Sequence, residues 1–380
     1  MRNFVKYFLT RKDQLMSLNS YKKLLLTAGP APISLAVQKI LSQPMIYHRS
    51  DEFVQIFKRL TANLQSLFQT EHEIFILTAS GTGGMEAIIA NLFSPGDSVL
   101  VVENGKFSQR WSQIAEIYSL DVKRVKIPWG KSIAVDEITE AIRTTSSVKA
   151  VFLTHCETST GALTDLETIV PQIRKLTEAL IIVDVISSAA VLPLKMDQWQ
   201  IDVVVTASQK GLGLPPGLTI VALNKHVWRY IEQAELPRYY FDLTRARQAL
   251  RLDRGSTYTP AIPLILAADF VLQKMRQIGL ENIWQQRKQI ASNFREKIVT
   301  SGLTIFPELP ADSLTVIKMD NNRGANHIIT LLRDKYRIVV SKGQGRLSDK
   351  VIRVGHFVNV ENEQLDQFLR ALKAILYNSK

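Results

Sequence analysis

Two residues set the chemistry open to this chain. Lys210 stands in TASQKGLGLPPG, and Asp184, 26 residues upstream, ends the apolar run LIIVD before VISS. A free lysine amine is protonated at neutral pH, so it attacks a carbonyl only where its surroundings lower its pKa. A carboxylate at the end of a buried strand is costly unless something faces it. Taken singly, each has an ordinary reading. A lysine before a Gly-rich stretch is usually a solvated loop residue, and a strand-terminal Asp commonly caps a helix or holds a metal or ribose.

Pyridoxal phosphate accounts for both at once. Lysine holds its aldehyde as a Schiff base, and the acid keeps the pyridine nitrogen protonated so that the ring withdraws electrons. Other segments add groups in a suitable order. ASGTGGMEA (79–87) follows an apolar run and opens a helical one, so backbone N–H groups with Ser80, Gly81 and Thr82 could cradle a phosphate. A tight Gly-rich turn reads equally well. Phe107 in ENGKFSQRW could stack on a flat ring or fill the core. Thr158 in HCETSTG could donate to a ring oxygen or close a turn. Arg353 in VIRVGHF is a candidate fork for a carboxylate, and Arg49, beside His48 in YHRSDEF, could hold a second anion. Either arginine could instead sit in a structural ion pair.

These residues need a scaffold, and the apolar pattern predicts one. IFILTAS, SVLVVENG, AVFLTHCE, ALIIVDVIS, DVVVTASQ and LTIVALN read as strands. GGMEAIIANLF, SQRWSQIAEIYSL and LETIVPQIRKLTEA read as helices between them. Near-continuous Val/Ile/Leu runs alternating with helices predict an α/β fold with a mostly parallel sheet buried on both faces. Ligands of such sheets bind at the carboxyl ends of the strands. Ser80, Asn104, Thr158, Asp184 and Lys210 all fall there. After about residue 262 come two long helical stretches, then the strand-like SLTVIKM, YRIVVSK and VIRVGHF with helices near 324–334 and 362–377. That pattern predicts a smaller α+β domain. The division expected is an N-terminal arm over 1–24, a large domain over 25–262 and a small one over 263–380.

Composition narrows the function. The chain has 380 residues, 46% apolar and 22% charged, and its formal net charge is +12. No apolar run reaches the roughly 18 residues of a membrane span. The basic residues form no dense block or recognisable nucleic-acid module, so the charge suits anionic small molecules and no nucleic acid is expected. Cys156 is the single cysteine, which excludes an internal disulfide and fits a cytoplasmic location. No metal site is expected. Residues 1–20 are basic without a secretory pattern; they read as an arm, a weak transit segment, or sequence upstream of a start at Met16.

The ordered set TAGPAP, HRSDEF, SGTGGMEA, NGKFSQRW, ETSTG, VDVISS, SQKGLGLPPG, YTPAIPL and IRVGHF closely resembles the class V pyridoxal-phosphate aminotransferases. It is most similar to the alanine–glyoxylate, serine–glyoxylate and serine–pyruvate branch, over about 25–375. The resemblance implies the fold type I transferase architecture with a seven-stranded-type sheet. It implies that Lys210 bonds the cofactor and moves the proton, that Asp184 pairs with the ring nitrogen, that Phe107 stacks and that Thr158 meets the ring oxygen. Ser80, Gly81, Thr82 and Gln209 are implied at the phosphate. Tyr258 and Thr259 are implied to reach the neighbouring subunit's phosphate, so a homodimer is expected. Arg353 is implied at the substrate carboxylate and Gly29 near the substrate. One departure is Val358, where relatives commonly have Gly.

The expected reaction is transamination between a small amino acid and a 2-oxo acid such as glyoxylate or pyruvate. The alternatives are a phosphoserine or aspartate aminotransferase using His48 and Arg49, or a non-catalytic partner subunit. Some similar bacterial proteins carry a soluble-hydrogenase label, but this chain has no cysteine set for that chemistry. A cysteine desulfurase needs a mobile thiol late in the chain, and Cys156 lies elsewhere. A dinucleotide-dependent dehydrogenase needs a GxGxxG turn that is absent.

Overall fold

The computed structural model describes residues 23–145, 147–252, 254–319 and 324–377. Residues 1–22, which hold nearly all of the expected arm and Met16, lie outside them.

Fifteen strands among the described residues carry the architecture. They are β1 Leu24–Leu25, β2 Glu73–Leu77, β3 Ser98–Glu103, β4 Asp121–Lys126, β5 Ala150–Thr154, β6 Cys156–Glu157, β7 Ala162–Leu163, β8 Leu180–Asp184, β9 Val203–Ala207, β10 Thr219–Leu223, β11 Thr304–Ile305, β12 Leu314–Lys318, β13 Ile338–Val339, β14 Ser341–Lys342 and β15 Val351–Gly355. Seven of them form the main sheet in the order β2-β10-β9-β8-β5-β3-β4. The pairs β4–β3, β3–β5, β5–β8 and β8–β9 are parallel, and β10 runs against both β9 and β2. Six strands therefore point the same way. β5, β8, β9 and β10 are buried at every residue, which is why they read as unbroken Val/Ile/Leu runs rather than as an alternation.

Helices cover both faces. They are α1 Leu35–Leu41, α2 Asp51–Phe68, α3 Gly81–Leu92, α4 Ser108–Ile117, α5 Val135–Thr144, α6 Leu166–Arg174, α7 Trp228–Gln233, α8 Leu243–Arg251, α9 Ile262–Ile278, α10 Leu280–Thr300, α11 Ala325–Lys335 and α12 Asn362–Tyr377. In α2 the Ser50 side chain caps the N-terminus by accepting from Phe53 N, and Phe53, Phe57, Leu60, Leu64 and Leu67 recur at three- and four-residue spacing as its buried stripe. Arg59 on α2 grips the buried Asp269 of α9 with Nε at 3.0 Å and Nη2 at 2.6 Å. Strand β4 and helices α1, α2, α5, α7 and α8 have no counterpart in the sequence reading. β4, DVKRVK, sits at the sheet edge with most residues exposed, so it lacks the apolar run of a central strand.

Beyond α9 a second, four-stranded antiparallel sheet, β11-β12-β15-β14, packs on α10, α11 and α12 around Phe294, Phe368 and Leu372. β1 pairs in parallel with β13, Leu24 opposite Ile338. The chain then runs alongside β15, where Gly355 N donates to Leu26 O at 2.9 Å. This brings residues 27–31 between the two sheets. No helix among the described residues is long and apolar enough to cross a membrane.

Candidate active site

The carboxyl ends of β2, β3, β5, β8 and β9 open on a cleft of about 460 Å³, partly open to solvent. Ser80, Gly81, Thr82, Phe107, Thr158, Asp184, Gln209 and Lys210 all line it, so eight residues named from sequence converge on one cavity.

Lys210 follows β9 by three residues and is 8% exposed. Its Nζ donates to Ala28 O at 2.5 Å and lies 5.9 Å from the Phe107 ring centroid and 5.7 Å from that of Phe357. Burial pushes the amine down to about 8, and the Arg353 charge acts in the same direction. Gly29 makes the space for it. Its φ is +110°, and a Cβ there would stand 2.5 Å from Nζ, so any side chain would evict the amine.

Asp184 ends β8 and is 4% exposed. Its Oδ1 accepts from Ile186 N at 2.7 Å; Oδ2 has no donor among the described residues. Burial pushes the carboxyl up to about 7, against the pull of that hydrogen bond. An acid and an amine thus stand in one cleft, both displaced toward neutrality and joined only by charge acting through space.

Other polar groups wait without partners. Asn104, 1% exposed at the end of β3, uses neither its amide oxygen nor its nitrogen, and Gln209 Oε1 is buried and unpaired. Ser80 occupies the N-cap of α3, yet its hydroxyl makes no capping bond. A buried unpaired polar atom is costly, and a helix N-terminus beside a free hydroxyl suits an anion.

Thr158 Oγ1 bonds Ser187 Oγ. Its carbonyl accepts from Arg353 Nη1 at 3.0 Å, and Arg353 Nε donates to Lys342 O at 2.9 Å. Arg353, on β15, is 6% exposed, and burial pulls its guanidinium down to about 10. It stands behind Thr158 rather than in the cleft wall itself.

The remaining named residues are not brought to this cleft. Tyr258 and Thr259 line a second depression with Thr78, Tyr240 and Pro260. Tyr258 stacks on Tyr240 with centroids 5.4 Å apart and rings 8° from parallel. Arg49 departs from its expected place at a substrate's second anion, and His48 is likewise outside the cleft. The Arg49 guanidinium is spent on backbone, donating to Arg254 O and Ser256 O at 2.7 Å and to Thr257 O at 3.2 Å. Three converging carbonyls satisfy a planar guanidinium as an anion would. Val358 packs on Phe357, Val191 and Ala31, away from the cleft wall.

Two contributors escaped the sequence reading. Arg110 lines the cleft, donates to Thr82 Oγ1 at 3.0 Å and lies 4.9 Å from the Phe107 centroid; the visible signal was its i+3 spacing from Phe107 at the start of a helix. Ile186, two residues past Asp184, also forms the wall. Cys156 is in the wall too, but burial pushes its thiol up to about 12, so it stays protonated and inert as a nucleophile. Among the described residues no group of three His, Cys, Asp or Glu side chains is placed to hold a metal ion.

Comparison with known proteins agrees with this geometry. The sequence model described as aminotransferase class-V matches residues 35–368. The chain is 34% identical over 359 residues, 93% of both chains, to a protein named soluble hydrogenase, small subunit, from Synechococcus sp.. It is 33% identical over 335 residues, 86% of this chain and 84% of the other, to the L-aspartate–glyoxylate aminotransferase of Paracoccus denitrificans. Among solved structures, alanine–glyoxylate aminotransferase from Nostoc sp. superposes with a TM-score of 0.89 at 29% identity, covering 93% of this chain and 95% of that one.

Proposed function

The chain belongs to the class V aminotransferases, and from that premise we propose that it moves an amino group from a small amino acid such as alanine or serine to glyoxylate or a similar 2-oxo acid, on pyridoxal phosphate held in the Lys210 cleft. The observation that carries this reading is the pairing of a buried amine on Ala28 O with a buried acid whose Oδ2 is free.

The residues present fit that cofactor. Lys210 offers an amine close to neutral. Asp184 Oδ2 offers an acceptor to a ring nitrogen, and the Phe107 face is open for stacking. Ser80, Thr82 and the first N–H groups of α3 offer donors for a phosphate, Gln209 can add its amide NH₂, and Arg110 adds a cation at that end. When bound, the cofactor supplies a covalent carbonyl partner and an electron sink.

The protein's own part then follows. Arg353 uses Nε and Nη1 on carbonyls behind Thr158, which leaves Nη2 to receive the carboxylate of the amino acid. With the cofactor bound, Lys210 Nζ would be the group placed to take and return the substrate's α-proton; an amine near its pKa suits both directions. Asp184 keeps the ring nitrogen cationic. Thr158, held by Ser187 and Arg353, orients the ring edge. The apolar wall at Ile186 and Met85 limits water.

Further elements belong to the same reading. Tyr258 and Thr259 serve the neighbouring subunit's site in a homodimer, a reading supported by their position outside their own cleft, with Thr259 exposed and Tyr258 half-buried. Residues 25–262 form the cofactor-binding domain and 263–380 the small one, with Leu24–Leu26 lending an edge to the latter. The lone buried cysteine suits a cytoplasmic enzyme. The aspartate alternative rests on the similarity to an L-aspartate–glyoxylate aminotransferase, while the Arg49 guanidinium proposed for its second anion is here engaged by backbone.

The test is spectroscopic. Purified protein incubated with pyridoxal phosphate should gain a visible absorbance band, and a small amino acid should bleach it while glyoxylate restores it. A protein that stays colourless overturns the reading.

A further inference from the structure

Glu157 is fully buried, 0% exposed, beside the cleft, with no arginine or lysine bonded to it. Its two oxygens instead collect donors from two loops. Oε2 accepts from Phe107 N at 3.0 Å and Ser108 N at 2.8 Å. Oε1 accepts from Ser159 N at 2.9 Å and Ser159 Oγ at 2.6 Å. The backbone makes room for this carboxylate. A Cβ on Gly105 would stand 2.3 Å from Glu157 Cγ and 2.5 Å from Ser159 Oγ.

We propose that Glu157 is a positioning residue for the cofactor, its carboxylate clamping the loop that presents Phe107 to the loop that presents Thr158. This rests on the proposed binding of pyridoxal phosphate in the Lys210 cleft.

The argument is one of register. Phe107, at the N-cap of α4 beyond β3, and Thr158, just after β6, belong to different loops, and neither bonds the other. Each meets the same carboxylate, directly for Phe107 and through its neighbours Glu157 and Ser159 for Thr158. The N-terminus of α4 points at the carboxylate as well, since Phe107 and Ser108 open that helix; a negative charge is favoured there. On the far side, Arg353 donates to Thr158 O. One chain of contacts therefore runs from Phe107 through Glu157 and Thr158 to Arg353.

The chemistry requires a carboxylate and not merely a polar side chain. Each oxygen receives two donors, and a carboxylate is acceptor-only at both. A glutamine presents one oxygen and one NH₂. Turned one way, the NH₂ meets the Phe107 and Ser108 N–H groups head-on; turned the other, it meets Ser159 N while the Ser159 hydroxyl can rotate to accept, so in either orientation the bonds to one loop are weakened. The isosteric change thus separates the clamp from simple packing.

The experiment compares wild type, Glu157→Gln and Ser159→Ala as apoproteins titrated with pyridoxal phosphate. It reads the dissociation constant, the visible circular dichroism of the bound cofactor and the pH dependence of its absorbance. Folding is checked by far-ultraviolet dichroism. Glu157→Gln should raise the dissociation constant about tenfold or more, as expected when a buried charged hydrogen-bond set is broken, and should weaken the induced dichroism as the Phe107 ring loses its fixed angle. Ser159→Ala keeps the Glu157 bonds to Phe107 N and Ser108 N but loses the Lys106 N donor to Ser159 Oγ at 2.9 Å, so it should raise the dissociation constant by clearly less than Glu157→Gln does. If Glu157→Gln does not fold, Glu157→Asp takes its place: both acceptors remain but retract by one methylene, so the same losses are expected in smaller measure. A folded Gln or Asp variant with wild-type dissociation constant and dichroism overturns the proposal. A wild-type protein that binds no cofactor overturns the functional reading beneath it, so the two failures are distinct.

Discussion

Asp184→Asn should stabilise the cofactor-free protein while damaging the enzyme. Asp184 is 4% exposed, and burial raises its carboxyl from 3.8 to about 7. At about 1.4 kcal/mol per unit, ionising it in the folded state costs on the order of 4 kcal/mol more than in the unfolded chain. The attraction of Lys210 is already within that figure. The sign follows from proton counts. Between pH 3.8 and 7 the folded protein holds the Asp184 proton and the unfolded chain has released it, so folding stability falls as pH rises through that window. Asparagine has the same shape and no charge to lose. Near pH 4 the two apoproteins should therefore be about equally stable. By pH 8 the variant should be more stable by a few kcal/mol, somewhat less than the full figure because a buried amide also needs partners. Urea unfolding of both apoproteins from pH 4 to 8 measures this directly. A stability difference that does not change with pH, or one that favours the wild type at pH 8, refutes the reasoning. With pyridoxal phosphate present the order should reverse, because the wild type alone offers the ring nitrogen an anionic partner and gains the linked stabilisation.

Other substitutions report on neighbouring parts of the site. Lys210→Ala should abolish the visible absorbance of bound cofactor and lower turnover by several orders of magnitude. It should also remove a rise in apoprotein stability between pH 8 and 10.5, since the folded wild type releases the Lys210 proton at about 8 and the unfolded chain only near 10.5; a wild-type pH profile in the variant would count against the buried amine. Arg353→Ala should raise KM for every α-amino acid with a smaller change in kcat, and Arg353→Lys should recover little, because a point charge cannot replace the fork. Gly29→Ala, with its Cβ 2.5 Å from Lys210 Nζ at a φ of +110°, should slow cofactor capture more than it lowers stability, as seen in the rate of colour development. Arg49→Ala should weaken the 254–257 segment and so affect alanine and aspartate as donors alike; a loss confined to aspartate would restore the second-anion role.

Much of the site was legible because its residues end strands. Ser80, Thr158, Asp184 and Lys210 each follow an apolar run that could only be a buried strand, and parallel strands deliver such residues to one edge. The helix at 81–92 and the pair of helices from 262 to 300 were legible for the same reason, an apolar pattern long enough to have a period. β4 was not, because a mostly exposed edge strand carries no such run; α5 buries only Ile138, Thr139 and Ile142, too short a stripe between charged residues to stand out. Arg49 misled because sequence shows a guanidinium but not which acceptors surround it, and the carbonyls of 254–257 lie two hundred residues away. Glu157 was visible inside ETSTG but had no partner in sequence; its donors are backbone N–H groups, which carry no residue type at all.

The clamp and the reactive pair place opposite demands on burial. Glu157 accepts from four donors and has no lysine or arginine bonded to it. Asp184 receives one hydrogen bond and Lys210 gives one, and both are pushed toward neutrality. Three ionisable side chains are thus buried within one small region, and the number of hydrogen bonds each receives divides their roles. A carboxylate that is fully satisfied can only hold its neighbours in place. A carboxyl left with a free oxygen, and an amine held by a single carbonyl, gain stability when a cationic nitrogen and an aldehyde arrive. The folded protein carries that unmet demand as part of its cost of folding, and ligand binding relieves it. On this argument the affinity for cofactor and the instability of the apoprotein should rise and fall together across substitutions at Asp184 and Lys210, whereas substitutions at Glu157 should weaken both binding and folding.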